Sequence, residues 1–229
     1  MAEVTLFLRE YARARRDVGA ITPSSAQLSR ALTRYLVPSP GHSRAVLEVG
    51  PGTGAVTRHI AGALTPLDTL DLIEANPRFA ALLRQTYAGD PRLRIRTGLV
   101  QEHDLGSYDT IVCGLPFANF DARTTEEIFD RLLGALRPGG TLSFFGYVGG
   151  ETIRQTFADG AERKRTLAGL GVLRRILRRH TFRTETVLGN LPPARVHHLV
   201  PVSPPAHSAR PQPCDCRETP SETPSEASS

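Results

Sequence analysis

Tryptophan is absent from the 229-residue chain, and lysine occurs once, at Lys164. All the other basic residues are arginine, a bias that speaks of base composition more than of function. Cysteine is scarce, with three residues. Cys113 lies in an apolar run and reads as a buried thiol. Cys214 and Cys216 lack the further ligands a zinc site needs, so neither a metal nor a structural disulfide is expected. No apolar run approaches the ~18–20 residues that span a bilayer, which argues against an integral membrane protein. Met1–Arg16 has charges scattered through it and no unbroken apolar stretch. It does not read as a secretory signal, and the cytoplasm is the expected compartment.

What is present supports a real core: 40% of residues are hydrophobic and 22% charged, which excludes a mainly disordered or fibrous chain. Residues 201–229 hold two Arg against four acids, so the residues before them carry +7 against the whole chain's +5. A basic folded part is compatible with nucleic acid, an anionic membrane surface or an acidic substrate, and does not choose between them. The segment from Pro201 onward is rich in Pro and Ser and has almost nothing to bury, so disorder is expected there.

Before that tail, short apolar runs alternate with helical patterns, the signature of a parallel α/β sheet. Strands are expected at Ala45–Val49, Thr69–Ile73, Leu93–Thr97, Asp109–Cys113 and Thr141–Val148, then near Phe182–Leu188 and Arg195–Val200. Helices are expected over Ala55–Leu64, Pro77–Tyr87, Thr124–Leu136 and Arg163–Arg179, the third stopping at Pro138-Gly139-Gly140. Two more, Val4–Arg16 and Ser24–Leu36, precede the first strand. The division is therefore a helical extension over 1–40, covering the site or a membrane contact, an α/β domain over 41–200, and the tail.

The sharpest motif is Glu48-Val49-Gly50-Pro51-Gly52-Thr53-Gly54, a strand entering a glycine turn that opens a helix. Glycines there let the backbone approach a ligand closely. Gly50-x-Gly52-x-x-Ala55 with Glu74 also fits the dinucleotide fingerprint, but a carboxylate at Glu48 would serve a pyrophosphate poorly and a cationic amino-acid end well. The glycine pattern, followed by an acid ending the second strand, resembles the S-adenosyl-L-methionine site of Rossmann-like class I methyltransferases. That resemblance implies a mostly parallel seven-stranded sheet. It also implies that Gly50, Gly52 and Gly54 contact the cofactor, that Glu48 orients the turn and the cofactor's amino-acid end, and that Glu74 accepts both ribose hydroxyls. Asn76 would lie beside the adenine or ribose. Where such enzymes carry Gly-Asp-Ala after strand three, with the Asp accepting from the adenine amino group, this chain has Gly98-Leu99-Val100. Gln101 or Glu102 are then the candidates to replace that acid.

Strand four ends in Gly114-Leu115-Pro116-Phe117, similar to the Asn-Leu-Pro-Tyr loop of amino-directed methyltransferases, with Gly114 and Phe117 departing from it. Taken with Phe7-Leu8-Arg9, Thr22-Pro23-Ser24-Ser25, Phe144-Phe145-Gly146-Tyr147 and Asn190-Leu191-Pro192-Pro193-Ala194-Arg195-Val196, the chain resembles the bacterial phospholipid N-methyltransferases over residues 5–200. It is also similar to their neighbours, the ribosomal RNA adenine dimethylases. The first resemblance implies successive methylation of phosphatidylethanolamine toward phosphatidylcholine, with Leu115, Pro116, Phe117 and Tyr147 at the reacting centre and Asn190 and Arg195 toward the substrate. A methylated, cationic amine favours aromatic faces, for which Phe117, Phe120, Phe145 and Tyr147 are candidates beside their ordinary use in a core. Arg195 has the geometry for a lipid phosphate, or simply for the surface.

Arg163–Arg183 puts Leu170, Leu173, Ile176 and Leu177 on one arc and Arg174, Arg175, Arg178 and Arg179 on the other. Such a helix lies on anionic lipid or covers a sheet with its outer face in water. His197 and His198 read as surface residues. The RNA-directed alternative keeps the same fold and cofactor, and a catalytically silent binding fold is the alternative from another class. Nothing in the sequence speaks to the oligomeric state.

Overall fold

The computed structural model describes residues 25–37, 42–148, 160–190 and 192–202. The expected helix at Val4–Arg16 and the tail beyond residue 202 lie outside them. The apolar runs form β1 (Ala45–Val49), β2 (Thr69–Glu74), β3 (Leu93–Thr97), β4 (Tyr108–Cys113), β5 (Leu136–Tyr147), β6 (Thr181–Val187) and β7 (Ala194–Leu199). They make one seven-stranded sheet in the order β3-β2-β1-β4-β5-β7-β6, parallel except that β7 runs antiparallel to both neighbours. This is the Rossmann-like class I arrangement expected from the sequence.

Helices cover both faces because the central strands are apolar on both. Their described members are α1 (Ala26–Leu32), α2 (Ala55–Ala63), α3 (Pro77–Thr86), α4 (Ala122–Gly134) and α5 (Gly160–His180). Alternation along the strands sorts the core. Val46, Leu70, Leu72, Val112 and Val196 face Leu28 and Leu32 of α1, Ile60 of α2 and Leu83 of α3. Leu47, Ile73, Ile111 and Phe144 face Ile128, Phe129 and Leu132 of α4 and Leu170 and Leu173 of α5. Each such side chain, once buried, contributes roughly 1.5–3 kcal/mol.

At the edge of the sheet where β1 and β2 begin, a buried ion pair knots three elements together. Arg44 Nη2 lies 2.5 Å from Asp68 Oδ2, and its guanidinium also donates to the carbonyls of Leu36 and Ala63. Asp68 accepts further bonds from Thr65, and together with Arg44 these hold its carboxyl well below the usual range despite burial. Breaking one partner of such a pair is costly because it strands a buried charge.

Three expectations need correction. The Pro138-Gly139-Gly140 step does not separate a helix from a strand: α4 ends at Gly134, and β5 runs through the step as a bulge. Between the pairs Tyr108–Leu136 and Thr110–Thr141 the β5 chain carries extra residues. Gly139 sits at φ +80°, and a Cβ on Gly140 would come within 3.1 Å of the Tyr108 and Asp109 carbonyl oxygens. The helix expected to span Ser24–Leu36 is shorter, capped by the Ser25 hydroxyl on Leu28 N. His197 and His198 are not surface residues. His198 is fully buried between Ser143 Oγ (2.8 Å) and Glu185 Oε1 (3.1 Å), because α1 covers this face of β5 and β7. His197, on the opposite face, stacks on Phe144, and burial pushes its imidazole down to about 4.

Candidate active site

β1 and β4 are neighbours in the sheet, and their crossover connections diverge there. Such a switch point leaves a crevice at the carboxyl ends of the strands. The β1 chain turns out of the sheet at Gly50-Pro51-Gly52-Thr53-Gly54, with positive φ at all three glycines, and Gly54 is the N-cap of α2. Glu74, the last residue of β2, holds this turn. Its Oε2 accepts from Gly52 N and its Oε1 from Asn76 N, both at 2.8 Å.

The cleft above encloses about 540 Å³ of space, some of it open to solvent. Val49 and Gly50 line it from β1, Ile73, Glu74 and Ala75 from β2, and Phe79 from α3. Gly98, Leu99, Val100 and Gln101 enter after β3, and Gly114, Leu115 and Pro116 after β4. Gly50 and Gly114 are packed so closely that a Cβ on Gly114 would lie 2.8 Å from Gly50 O. A side chain at this position would therefore displace the main chain at Gly50. Sequence reasoning missed Phe79, whose only signal was its place in the helix after strand two.

Other expected site residues lie elsewhere. Glu48 points beneath the turn, on the α2 side, and its Oε2 accepts from Thr57 Oγ1 at 2.7 Å. It is buried, and desolvation pushes its carboxyl up to about 8, the nearby Glu74 adding to the effect. Asn76 caps α3 through Arg78 N at 2.9 Å and stands behind Glu74. Phe117 is a core residue: it stacks on Phe129 at 4.4 Å and meets Phe120 and Phe144 edge-on. Phe120 is buried with it. Cys113, ending β4, has its thiol pushed up to about 12 by burial and is inert.

The substrate candidates lie toward the far side of β5. Tyr147 pairs in register with Ala194, beyond the level at which β4 ends, and packs edge-on against Phe145. Arg195 is exposed one row lower, opposite Gly146. Asn190 is buried and structural in character. Its Oδ1 accepts from Ser25 N and its Nδ2 donates to Pro192 O, tying the β6–β7 connection to the start of α1.

A carboxylate with two acceptor oxygens beside a turn of backbone N–H groups fits a ribose flanked by an amino-acid end. Phe79, Leu99 and Val100 supply an apolar slot for a base. The residues present thus fit S-adenosyl-L-methionine, which supplies a methyl group on a sulfonium. Fold and site together define an S-adenosyl-L-methionine-dependent methyltransferase. Residues 47–142 match the methyltransferase domain family. The chain is 29% identical over 150 residues to the ornithine lipid N-methyltransferase of Singulisphaera acidiphila, covering 62% of this chain and 77% of that protein. It is 36% identical over 91 residues to the ribosomal RNA small subunit methyltransferase A of Parasynechococcus marenigrum, 40% of this chain and 30% of that one. Among solved structures, the O-methyltransferase TomG from Streptomyces achromogenes, in complex with S-adenosylmethionine, superimposes with a TM-score of 0.58 at 18% identity, over 85% of this chain and 89% of that one.

Proposed function

We propose that the enzyme methylates the amine of a lipid head group at a membrane surface. Phosphatidylethanolamine with its methylated forms is the first candidate acceptor, and an ornithine-bearing lipid is the second. The observation that carries this reading is the likeness to an ornithine lipid N-methyltransferase, which runs for 150 residues and so beyond the shared methyltransferase domain. The cleft is consistent with it. Gly114, Leu115 and Pro116 present main chain and apolar groups to the acceptor, which suits alignment and exclusion of water rather than covalent help. The nitrogen attacks as a neutral amine, and an alkyl ammonium near pKa ~10.4 must first lose its proton. In this reading Arg195 and Tyr147, beyond the cleft lining on the β5–β7 side, are the candidates to meet the head group. In this reading contact with the membrane is peripheral; the described residues contain no helix long and apolar enough to cross one.

A ribosomal RNA adenine acceptor is the second reading, favoured by the 36% identity over 91 residues to an RNA methyltransferase. The close packing of Gly114 against Gly50 weighs against it, since it excludes the polar side chain such loops offer to an adenine amine.

Transfer of radiolabelled methyl decides between them. The protein is offered anionic vesicles containing phosphatidylethanolamine, matching vesicles with an ornithine lipid, and unmodified ribosomal RNA. Label in a lipid fraction, abolished by Glu74→Ala, is the expected result. Label in RNA alone would overturn the lipid reading.

A further inference from the structure

Apart from the cleft, α1 and β6 frame a groove of about 1250 Å³, much of it open to solvent. Gln27, Arg30, Ala31 and Arg34 line it from α1, a spacing that puts all four on one side of the helix. Arg34 donates to Glu185 Oε2 at 2.6 Å, and Arg183 Nε lies 3.3 Å from Oε1 of the same carboxylate. Glu185 is the only acid among the described lining residues, so three arginines share one carboxylate's worth of negative charge. At the other end Gln27 rests on the β6–β7 connection, where a Cβ on Gly189 would fall 2.1 Å from Gln27 Oε1. Between these ends the floor is apolar, with Ala31 and Val187 buried, and Leu188 stands at the lip, 77% exposed.

β6 runs parallel to β5, since both are antiparallel to β7, so Leu188 and Gly189 lie at the edge of the sheet that carries the cleft. Three strand spacings separate β6 from β4, about 14 Å. That exceeds the span from a head-group amine to its own phosphate, so an occupant of the groove is a neighbour of the acceptor and not the acceptor itself. We infer that the groove takes the phosphate of an anionic lipid, held by Arg30 and Arg34, with Leu188 beside its acyl chains. The planar guanidinium fork suits phosphate oxygens, and the surplus of arginine over Glu185 supplies the charge. A phosphodiester of RNA would use that charge and leave the apolar lip in water, which favours the lipid. A lipid seated here sets the carboxyl edge of the sheet, and the cleft with it, against the membrane. The inference rests on the lipid reading of the acceptor.

Amide NMR titration of the full chain with dihexanoyl phosphatidylglycerol, kept below its micelle-forming concentration, tests the site without vesicles or turnover. Saturable shifts are expected at the amides of Arg30, Leu188 and Gly189. Arg30→Gln should raise the dissociation constant by about fivefold or more, with the melting temperature unchanged. Leu188→Ser should weaken the lipid by about threefold and leave glycerophosphoglycerol, the same phosphodiester without acyl chains, unaffected. Unaltered lipid binding by Arg30→Gln would overturn the assignment. Glycerophosphoglycerol bound as tightly as the lipid, or a short RNA bound more tightly at the same amides, would overturn the lipid as occupant. Absence of saturable shifts in the folded wild type, with label still reaching lipid in the transfer experiment, would overturn this inference alone. Label reaching RNA alone would overturn the lipid reading, and this inference with it.

Discussion

Glu48 shows how one buried carboxyl can govern behaviour without touching the cleft. Desolvation holds its proton to about pH 8, whereas in the unfolded chain the group ionises in the ordinary carboxylate range. Between those limits the folded state binds a proton that the unfolded state has released. Stability of the ligand-free protein through this group therefore falls as pH rises from about 4.5 to about 8, then levels off. Glu48→Gln keeps a partner for Thr57 and removes the charge. Melting curves recorded from about pH 5 to about pH 9 should show the variant gaining on the wild type as pH rises, the difference saturating above about 8. Parallel curves would mean that Glu48 is not the group responsible. None of this was legible in the sequence. The residue's place before the glycine turn suggested a role toward both the turn and the cofactor, and strand alternation sends the side chain to the α2 face, where Thr57 meets it. Phe117 failed as an acceptor-side aromatic for a related reason. A motif shows which residues follow one another, while the direction of a ring depends on Phe129 and Phe144, which are distant in sequence.

At the scale of elements, α5 is the part whose sequence pattern was clear and whose use was open. Its apolar arc proves to be spent on the sheet: Leu170 and Leu173 are buried in the core, with Ile176 and Leu177 packed against it. The helix also presses on the loop that follows β4. A Cβ on Gly169 would come 2.2 Å from Phe120 O, whereas one on Gly171 would meet nothing within 4 Å. Two chemically identical substitutions in one helix therefore have opposite signs. Gly169→Ala should destabilise by about 1–3 kcal/mol through forced displacement of helix or loop. Gly171→Ala should stabilise by roughly 0.5–1 kcal/mol through helix propensity alone. Denaturant midpoints for both variants check this, and equal shifts would refute the contact. Most strands and helix starts were legible because period-2 and period-3.6 patterns are local. The start of β5 was not. Pro138-Gly139-Gly140 reads as a terminator taken alone, and only its approach to the carbonyls of Tyr108 and Asp109 makes it a bulge within a strand.

For the whole molecule, the placement of charge follows from the same packing. Arg174, Arg175, Arg178 and Arg179 are exposed on the outer side of α5, with Arg175 pairing to Glu126 on α4. In the lipid reading, this arginine face binds through charge, while Leu170, Leu173, Ile176 and Leu177 of α5 stay on the core. Binding to anionic vesicles should therefore fall steeply between about 50 and 500 mM salt, as the screening length shrinks toward ~4 Å. Replacing the four arginines with Gln should remove most of that salt sensitivity. Co-sedimentation with vesicles at graded salt measures both, and salt-insensitive binding would refute it. An apolar arc consumed by the core also sets how the enzyme would travel. If the described arginine surface alone holds it, by counter-ion exchange, it should hop between vesicles rather than stay on one. After the first few turnovers, singly methylated lipid would then be spread thinly over every vesicle in the sample, instead of concentrated as fully methylated lipid in the few visited first.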